Sequence, residues 1–470
     1  MNNNMNNNSD SIDNSDSIDN SDSIDNSDNI DNSDLIGGKN KQSFLGEGSY
    51  GCAWKPGLDC DGNLNQKKGT INKIQEINFY SVNELVISNK IKKIKSYKKR
   101  FAPVINYCKV EFNKILKSSS NDVIDINKCE NLFEDYIQNS DFYNILSSNN
   151  DFLNKSYYMF YINYVNGIAF GELFSYKNKK YSTNFKNKAY ISSFYYLLNS
   201  ISLLISKNIV HNDLHTSNIM YQTTKKIPII IDFGLSFYTK NLYNTKSLKN
   251  SIDYNILKRH FFDFRLDSYN HLIEKTFISF CFYNKNDFYQ KNVVSDNSVN
   301  DLDANILNYF IDYYYKSVKT NIGFIFSDSE MQNYYLKFKK FYQKFLNKEK
   351  YPYVSSIIKE LIPFVFNYND IYSIAIAFIY SYYKMSNKNT DNDFLLSYNI
   401  VIPVCKKIIL PDPNERISCN DAINIMQYII NKMNNIDVKD DSVTKNKLLQ
   451  SHDLFNKQNI TLFTSLDINL

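Results

Sequence analysis

Asp213, Asn218 and Asp232 carry the plainest chemistry in this sequence. Asn218 follows Asp213 by 5 residues and Asp232 follows Asn218 by 14. Two carboxylates and an amide at that spacing suit phosphoryl transfer. One carboxylate orients an incoming hydroxyl and accepts its proton. The amide oxygen and the second carboxylate hold Mg²⁺ against phosphates, because oxygen ligands suit a hard cation. The residues lie in two stretches, His211-Asn212-Asp213-Leu214-His215-Thr216-Ser217-Asn218 and Ile230-Ile231-Asp232-Phe233-Gly234, and the first contains two of the five His of the chain.

A third feature precedes them. Leu45-Gly46-Glu47-Gly48-Ser49-Tyr50-Gly51 fits G-x-G-x-x-G in a chain with only 12 Gly. In a dinucleotide fold this motif opens a helix. Here Cys52-Ala53-Trp54 continues as a strand, so the motif reads as a hairpin whose amides approach phosphates with no Cβ between. Each motif alone is an ordinary loop or turn, but the three in this order are not.

The elements that position these residues follow from periodicity. Ser43 to Ala53 reads as strand, turn, strand, and Ile71 to Ile74 as another short strand. Glu84 to Ile94 has a helical apolar face. Residues 112–150 read as a polar connector with short helices, and Tyr157 to Val165 as a strand. Ile191, Phe194, Tyr195, Leu198, Ile201 and Ile205 mark a buried helix, as do Ile371, Ile374, Ala375, Phe378 and Ile379. Ile229 to Ile231 is a short buried strand and Asp421 to Met433 a last core helix.

Composition sets the limits. The chain has 470 residues, 43% hydrophobic and 22% charged, enough for a sizeable core. No secretory signal and no run of about 18 consecutive apolar residues is evident. Residues 1–36 hold nine Asp and no Lys or Arg, so the net charge of +5 leaves +14 on the rest, read as a solvated Lys-rich surface. The repeating Asn-Ser-Asp-Ser-Ile-Asp unit of that tract reads as a disordered spacer, with phosphorylation of Ser beside Asp as the other reading. The seven Cys are odd in number and form no C-x-x-C, which argues against a disulfide framework and for a reducing compartment. The many Asn, Ile, Lys and Tyr suggest an A+T-rich genome.

With these motifs in order, the chain resembles the protein kinase superfamily. His211 to Asn218 matches its H-R-D-L-x-x-x-N pattern, and Asp232-Phe233-Gly234 its D-F-G. Ile162 to Gly167 looks like the hinge between lobes, and Asp370 to Ala375 like the start of the central helix, whose Asp braces the catalytic loop. Asp412 to Ser418 resembles the family's late Arg segment. Gly51-Cys52-Ala53-Trp54-Lys55-Pro56, then Cys60, then Ile71 to Ile74 resembles the divergent Ser/Thr protein kinases of large DNA viruses. In that reading Cys52 and Cys60 are packing residues.

The resemblance implies an α+β, bilobal fold with a small β-rich N-lobe at 43–165 and a larger helical C-lobe at 166–435, the latter with an insertion within 240–365. Tails at 1–42 and 436–470 flank it. It implies a phosphotransferase using ATP and Mg²⁺ on Ser/Thr hydroxyls of protein substrates, with no nucleic-acid or membrane partner. Location is expected to be cytoplasmic, in a host cell or virion if the protein is viral. Asp213, Asn218 and His215 would be catalytic and Asn218 and Asp232 would hold the metal. Leu45 through Ala53, Lys73 and Glu84 would bind the nucleotide. Lys67 and Lys68 rival Lys73, and Glu76 rivals Glu84.

The departures are specific. Asn212 replaces the Arg that binds a phosphorylated activation loop, which implies activity without that switch. His215 replaces a Lys that neutralises the transferring phosphate. No A-P-E follows Asp232, so the partner of Arg416 is unidentified. A small-molecule kinase and a non-catalytic scaffold of the same fold remain the alternatives.

Overall fold

The computed structural model describes residues 43–48, 51–55, 57–63, 69–120, 125–137, 155–243, 252–261, 271–282, 299–386 and 395–433. The tracts 1–42 and 436–470, Ser49 and Tyr50, and the rival lysines Lys67 and Lys68 lie outside the described residues. Gln42–Leu470 form one compact unit.

Its first part is a five-stranded antiparallel sheet in the order β1-β2-β3-β5-β4. The strands are β1 (Ser43–Gly48), β2 (Gly51–Lys55), β3 (Thr70–Glu76), β4 (Val104–Glu111) and β5 (Ser156–Asn163). β2 pairs with β3 so that Gly51 faces Gln75 and Ala53 faces Lys73. A Cβ on Gly51 would overlap the Ile74 carbonyl oxygen, so the third glycine of the motif is required by the neighbouring strand.

Helix α1 (Phe79–Ile91) starts five residues earlier than the apolar pattern suggests. Asn78 caps it by accepting hydrogen bonds from the Tyr80 and Ser81 amides, and the Asn78 amide donates in turn to Ser81 Oγ. Ser88 Oγ accepts from the Val104 amide at 3.0 Å and ties α1 to β4. The opposite face of the sheet is covered by α2 (Phe112–Ser120) and α3 (Glu130–Ile137). There Cys52, Trp54, Ile74, Val110, Phe112, Ile115, Phe133, Tyr157 and Met159 form a separate core.

The second part is mainly helical. In chain order it comprises β6 (Ile168–Ala169), α4 (Phe170–Leu173), α5 (Thr183–Ser206), β7 (Ile209–Val210), β8 (Ile219–Gln222), β9 (Ile227–Ile230) and β10 (Phe237–Tyr238). Then follow α6 (Tyr254–His260), α7 (Ile273–Cys281), α8 (Ala304–Ile322), α9 (Asp328–Gln343), α10 (Val354–Ser386), α11 (Leu395–Ile408) and α12 (Cys419–Met433). α5 and α10 are long and apolar enough to cross a membrane, contrary to the first impression of the sequence. Yet 56% and 72% of their most apolar windows are buried, α10 against α5, α7 and α11, as core helices are. β8 and β9 pair to present the Asp213 segment before them and the Asp232 segment after them.

The cysteine expectation is corrected. Cys52 is bonded to Cys129 and Cys60 to Cys108, leaving Cys281, Cys405 and Cys419 free. An odd count therefore hides two pairs closed over 77 and 48 residues. The cysteine argument for a reducing compartment falls with it.

Candidate active site

Lys73 points from β3 between two carboxylates. Its Nζ donates to Asp232 Oδ1 at 3.0 Å and to Glu84 Oε2 at 3.4 Å. Gln75, two residues along the same strand and therefore on the same face, donates to Glu84 Oε2 at 2.9 Å. The rival Glu76 instead pairs with Lys155 at 2.7 Å. The trio thus joins β3, α1 and the segment after β9.

Burial opposes charge on all three groups, with different outcomes. At Lys73 the two carboxylates overcome it and hold the ammonium above the ordinary lysine value. Asp232 keeps 38% of its side chain open. Burial pushes it up, but the closer contact with Lys73 and a hydrogen bond from the Gly234 amide hold its carboxyl below the usual value. At Glu84 burial prevails over Lys73 and Gln75 and raises it.

Asp213 and Asn218 meet on the loop between β7 and β8. Asn218 Nδ2 donates to the Asp213 main-chain oxygen at 2.8 Å and to Asp213 Oδ2 at 3.0 Å. His215 lies beside both, with Nε2 3.1 Å from Asn218 Nδ2 and 3.8 Å from Asp213 Oδ2. Asn218 also accepts the Ile231 amide on its main-chain oxygen at 3.0 Å, which couples this loop to Asp232.

The frame behind the loop is buried. Asp370, near the middle of α10, accepts from the His211 amide at 2.6 Å and the Asn212 amide at 3.0 Å. His211 Nε2 lies 3.0 Å from the Ile231 carbonyl and its Nδ1 3.4 Å from the Asp213 amide. A carbonyl only accepts and an amide N–H only donates, so the ring carries its hydrogen on Nε2. Asn212 and Asp232 both sit in the left-handed region, at φ 68 and φ 57. Such residues persist only where their surroundings fix them.

Asn212 shows what replaced the Arg. Its Nδ2 donates to the Leu235 and His260 carbonyls, each at 3.2 Å, and Lys275 Nζ donates to its main-chain oxygen at 3.1 Å. The Asn212 side chain therefore holds the segment after Asp232 at Leu235 and at His260 by neutral hydrogen bonds, while the Lys275 ammonium holds the Asn212 main chain. That segment also grips α1: Asn83 Nδ2 donates to the Ser236 carbonyl at 2.5 Å, and the Phe79 ring packs on His260.

The missing partner of Arg416 is Glu274. The guanidinium contacts both carboxylate oxygens, at 2.9 and 3.0 Å, and both side chains are fully buried. Glu274 opens α7 within His271-Leu272-Ile273-Glu274, where no sequence pattern marks it. Cys129 and Gln75 were equally invisible.

Of the expected nucleotide-binding residues, Leu45, Gly46, Glu47 and Gly48 lie on β1, and Gly51, Cys52 and Ala53 on β2. Cys52 turns its side chain into the core behind the sheet, opposite to Lys73, so only its main chain borders the cleft. Ser49 and Tyr50 lie outside the described residues.

The family model of the protein kinase domain matches residues 100–258. The architecture above is the bilobal α+β kinase fold, and the match supports phosphoryl transfer by a kinase. It spans β4 to α6, hence Asp213, Asn218 and Asp232, and stops short of Lys73, Glu84 and the glycine hairpin. Those three are brought in by the fold. No curated protein matches the chain.

Proposed function

We propose that the protein is an ATP- and Mg²⁺-dependent kinase that phosphorylates Ser/Thr hydroxyls of protein substrates. The observation that carries this is Lys73, held 3.0 Å from Asp232 and 3.4 Å from Glu84 across three separate elements. A lysine so fixed presents one positive charge at a defined place beside a carboxylate of the metal-binding type.

Asp232 and the Asn218 oxygen would hold Mg²⁺, and the all-oxygen donor set fits that cation. When bound it supplies charge neutralisation for the phosphates. The protein's own residues do the rest. Gly46, Gly48 and Gly51 let the hairpin backbone close over the phosphates, and Lys73 Nζ binds their oxygens. The Asp213 carboxylate, steadied by the Asn218 amide, accepts the hydrogen of the acceptor hydroxyl. Catalysis is then positioning plus electrostatic stabilisation. The kinship with Ser/Thr kinases of large DNA viruses belongs to the same reading and rests on Gly51 to Pro56, Cys60 and Ile71 to Ile74.

His215 favours a second reading, a small-molecule kinase, because no lysine accompanies Asp213 on this loop. The deciding assay gives the purified chain labelled ATP, Mg²⁺ and either a protein mixture or a set of hydroxylated metabolites, beside an Asp213→Ala control. Label on Ser or Thr of proteins, absent in the control, supports the proposal. Label only on metabolites selects the second reading, and ATP–Mg²⁺ binding without transfer selects a scaffold.

A further inference from the structure

We propose that Cys52 and Cys129 form a thiol–disulfide modification site that clamps the glycine-rich hairpin, its reaction partners being small disulfides and dithiols. The effect on nucleotide handling rests on the kinase reading above; the clamp itself does not.

Three observations converge on one spot. Cys52 follows Gly51 directly on β2 and is bonded to Cys129, the residue before α3. Glu47, the cross-strand partner of Cys52, lies inside the glycine motif on β1. Its Oε1 accepts the Asn131 amide at 2.6 Å and lies 3.7 Å from Cys52 Sγ. Both strands of the hairpin are thus tied to the same turn, residues 129–131. That turn is itself anchored, since Phe133, Ile126, Phe112 and Ile115 belong to the core behind the sheet. A hairpin that must open for nucleotide exchange is fastened by one covalent bond and one carboxylate.

The other cysteines set this pair apart. Cys60–Cys108 joins the β2–β3 connection to β4, away from the motif, and Cys60 is exposed. Cys281, Cys405 and Cys419 are free, and burial pushes the thiols of Cys281 and Cys419 up to about 12, so they stay protonated and inert. Cys52 and Cys129 are fully buried. A dithiol therefore reaches Cys60–Cys108 first, and Cys52–Cys129 only when the hairpin opens.

The chemistry balances. One thiolate of the reduced pair attacks a small disulfide RSSR and expels RS⁻. The second thiolate attacks the mixed disulfide and expels another RS⁻. Two protein thiols are oxidised, RSSR is reduced to two RSH, and the protons pass from the cysteines to the leaving thiolates. A dithiol reverses the sequence by the same steps.

The test uses the full chain, oxidised with glutathione disulfide, beside Cys129→Ser and Cys60→Ser. Peptide mapping without reductant should give a linked Cys52–Cys129 peptide, and a stepped dithiol series should open Cys60–Cys108 first. Hydrogen exchange in residues 43–55 should be slow in the oxidised wild type and in Cys60→Ser, and several-fold faster in Cys129→Ser. KM for ATP should rise several-fold in Cys129→Ser with kcat nearly unchanged. Equal exchange in all three proteins overturns the clamp. So does a Cys129 that alkylates freely after oxidation, or stoichiometric zinc held by Glu47, Cys52 and Cys129, whose ligand atoms lie within 4.8 Å of one another. Mapping and exchange need no turnover, so absence of phosphate transfer in every sample would sink the kinase reading and leave the clamp decided by those two measurements.

Discussion

Arg416 reaches across 142 residues to hold both oxygens of Glu274 in a site with no access to solvent. Burial opposes the charge of Arg416, and Glu274 raises its affinity for the proton beyond that loss. The pair pins α7, and with it the end of the segment that begins at Asp232, to the loop before α12. Removing one partner strands the other charge in the interior. Glu274→Gln or Arg416→Met should destabilise the protein by about 3–5 kcal/mol in denaturant titrations. The double variant Glu274→Leu/Arg416→Met should recover most of that.

Asp213→Ala should lower phosphate transfer by about 10²–10⁴-fold, the range for loss of a positioned base. The shift in melting temperature produced by ATP–Mg²⁺ should stay, because Lys73, Glu84 and Asp232 are untouched. A single-turnover assay and a thermal titration on the same sample separate the two effects.

Asn212→Gly isolates the hydrogen bonds of that side chain, since glycine accepts the backbone at φ 68 without strain. Loss of the bonds to Leu235 and His260 should destabilise by about 1–3 kcal/mol. It should also speed hydrogen exchange over residues 235–243. Phosphatase treatment of the wild type should leave activity unchanged if neutral contacts alone hold the segment.

His260 gives a pH dependence. Burial first, then the nearby Lys275 and Arg259 charges, lowers its pKa from 6.5 to about 4. Between those values the unfolded chain binds a proton that the folded protein refuses. Stability is therefore full above pH 6.5 and is lost as pH falls towards 4, by up to about 3 kcal/mol. His260→Phe keeps a ring against Phe79 and Phe237 and should flatten the melting temperature over that window.

The sequence displayed the candidate catalytic residues because they are local. Asp213, Asn218 and Asp232 occupy two short loops whose spacing survives in one dimension. Lys73 was readable by strand alternation, and Asp370 only through the likeness of residues 370–375 to the central helix of the kinase superfamily. Glu274 was not, because its role comes from a partner 142 residues away and its neighbours Leu272 and Ile273 look like any core segment. The two disulfides were hidden for a related reason: spacing alone does not reveal which cysteines meet. The start of α1 was misplaced because Asn78 was not weighed as a cap, although Ser81 three residues on completes a capping box. The Ser327 and Glu330 cap of α9 carries the same kind of signal inside the 240–365 segment, where the sequence placed an insertion without fixing its helices.

Phe277, one turn beyond Glu274 on α7, meets Phe310 of α8 at 4.9 Å and Tyr342 of α9 at 4.8 Å, with Phe345 close by. Helices α8 and α9 are therefore masonry under the ion pair. Cutting the gene back to a minimal catalytic core would expose a wall of aromatic rings and undermine the helix that bears Glu274. Helices α8 and α9 cannot be taken out without the rest giving way.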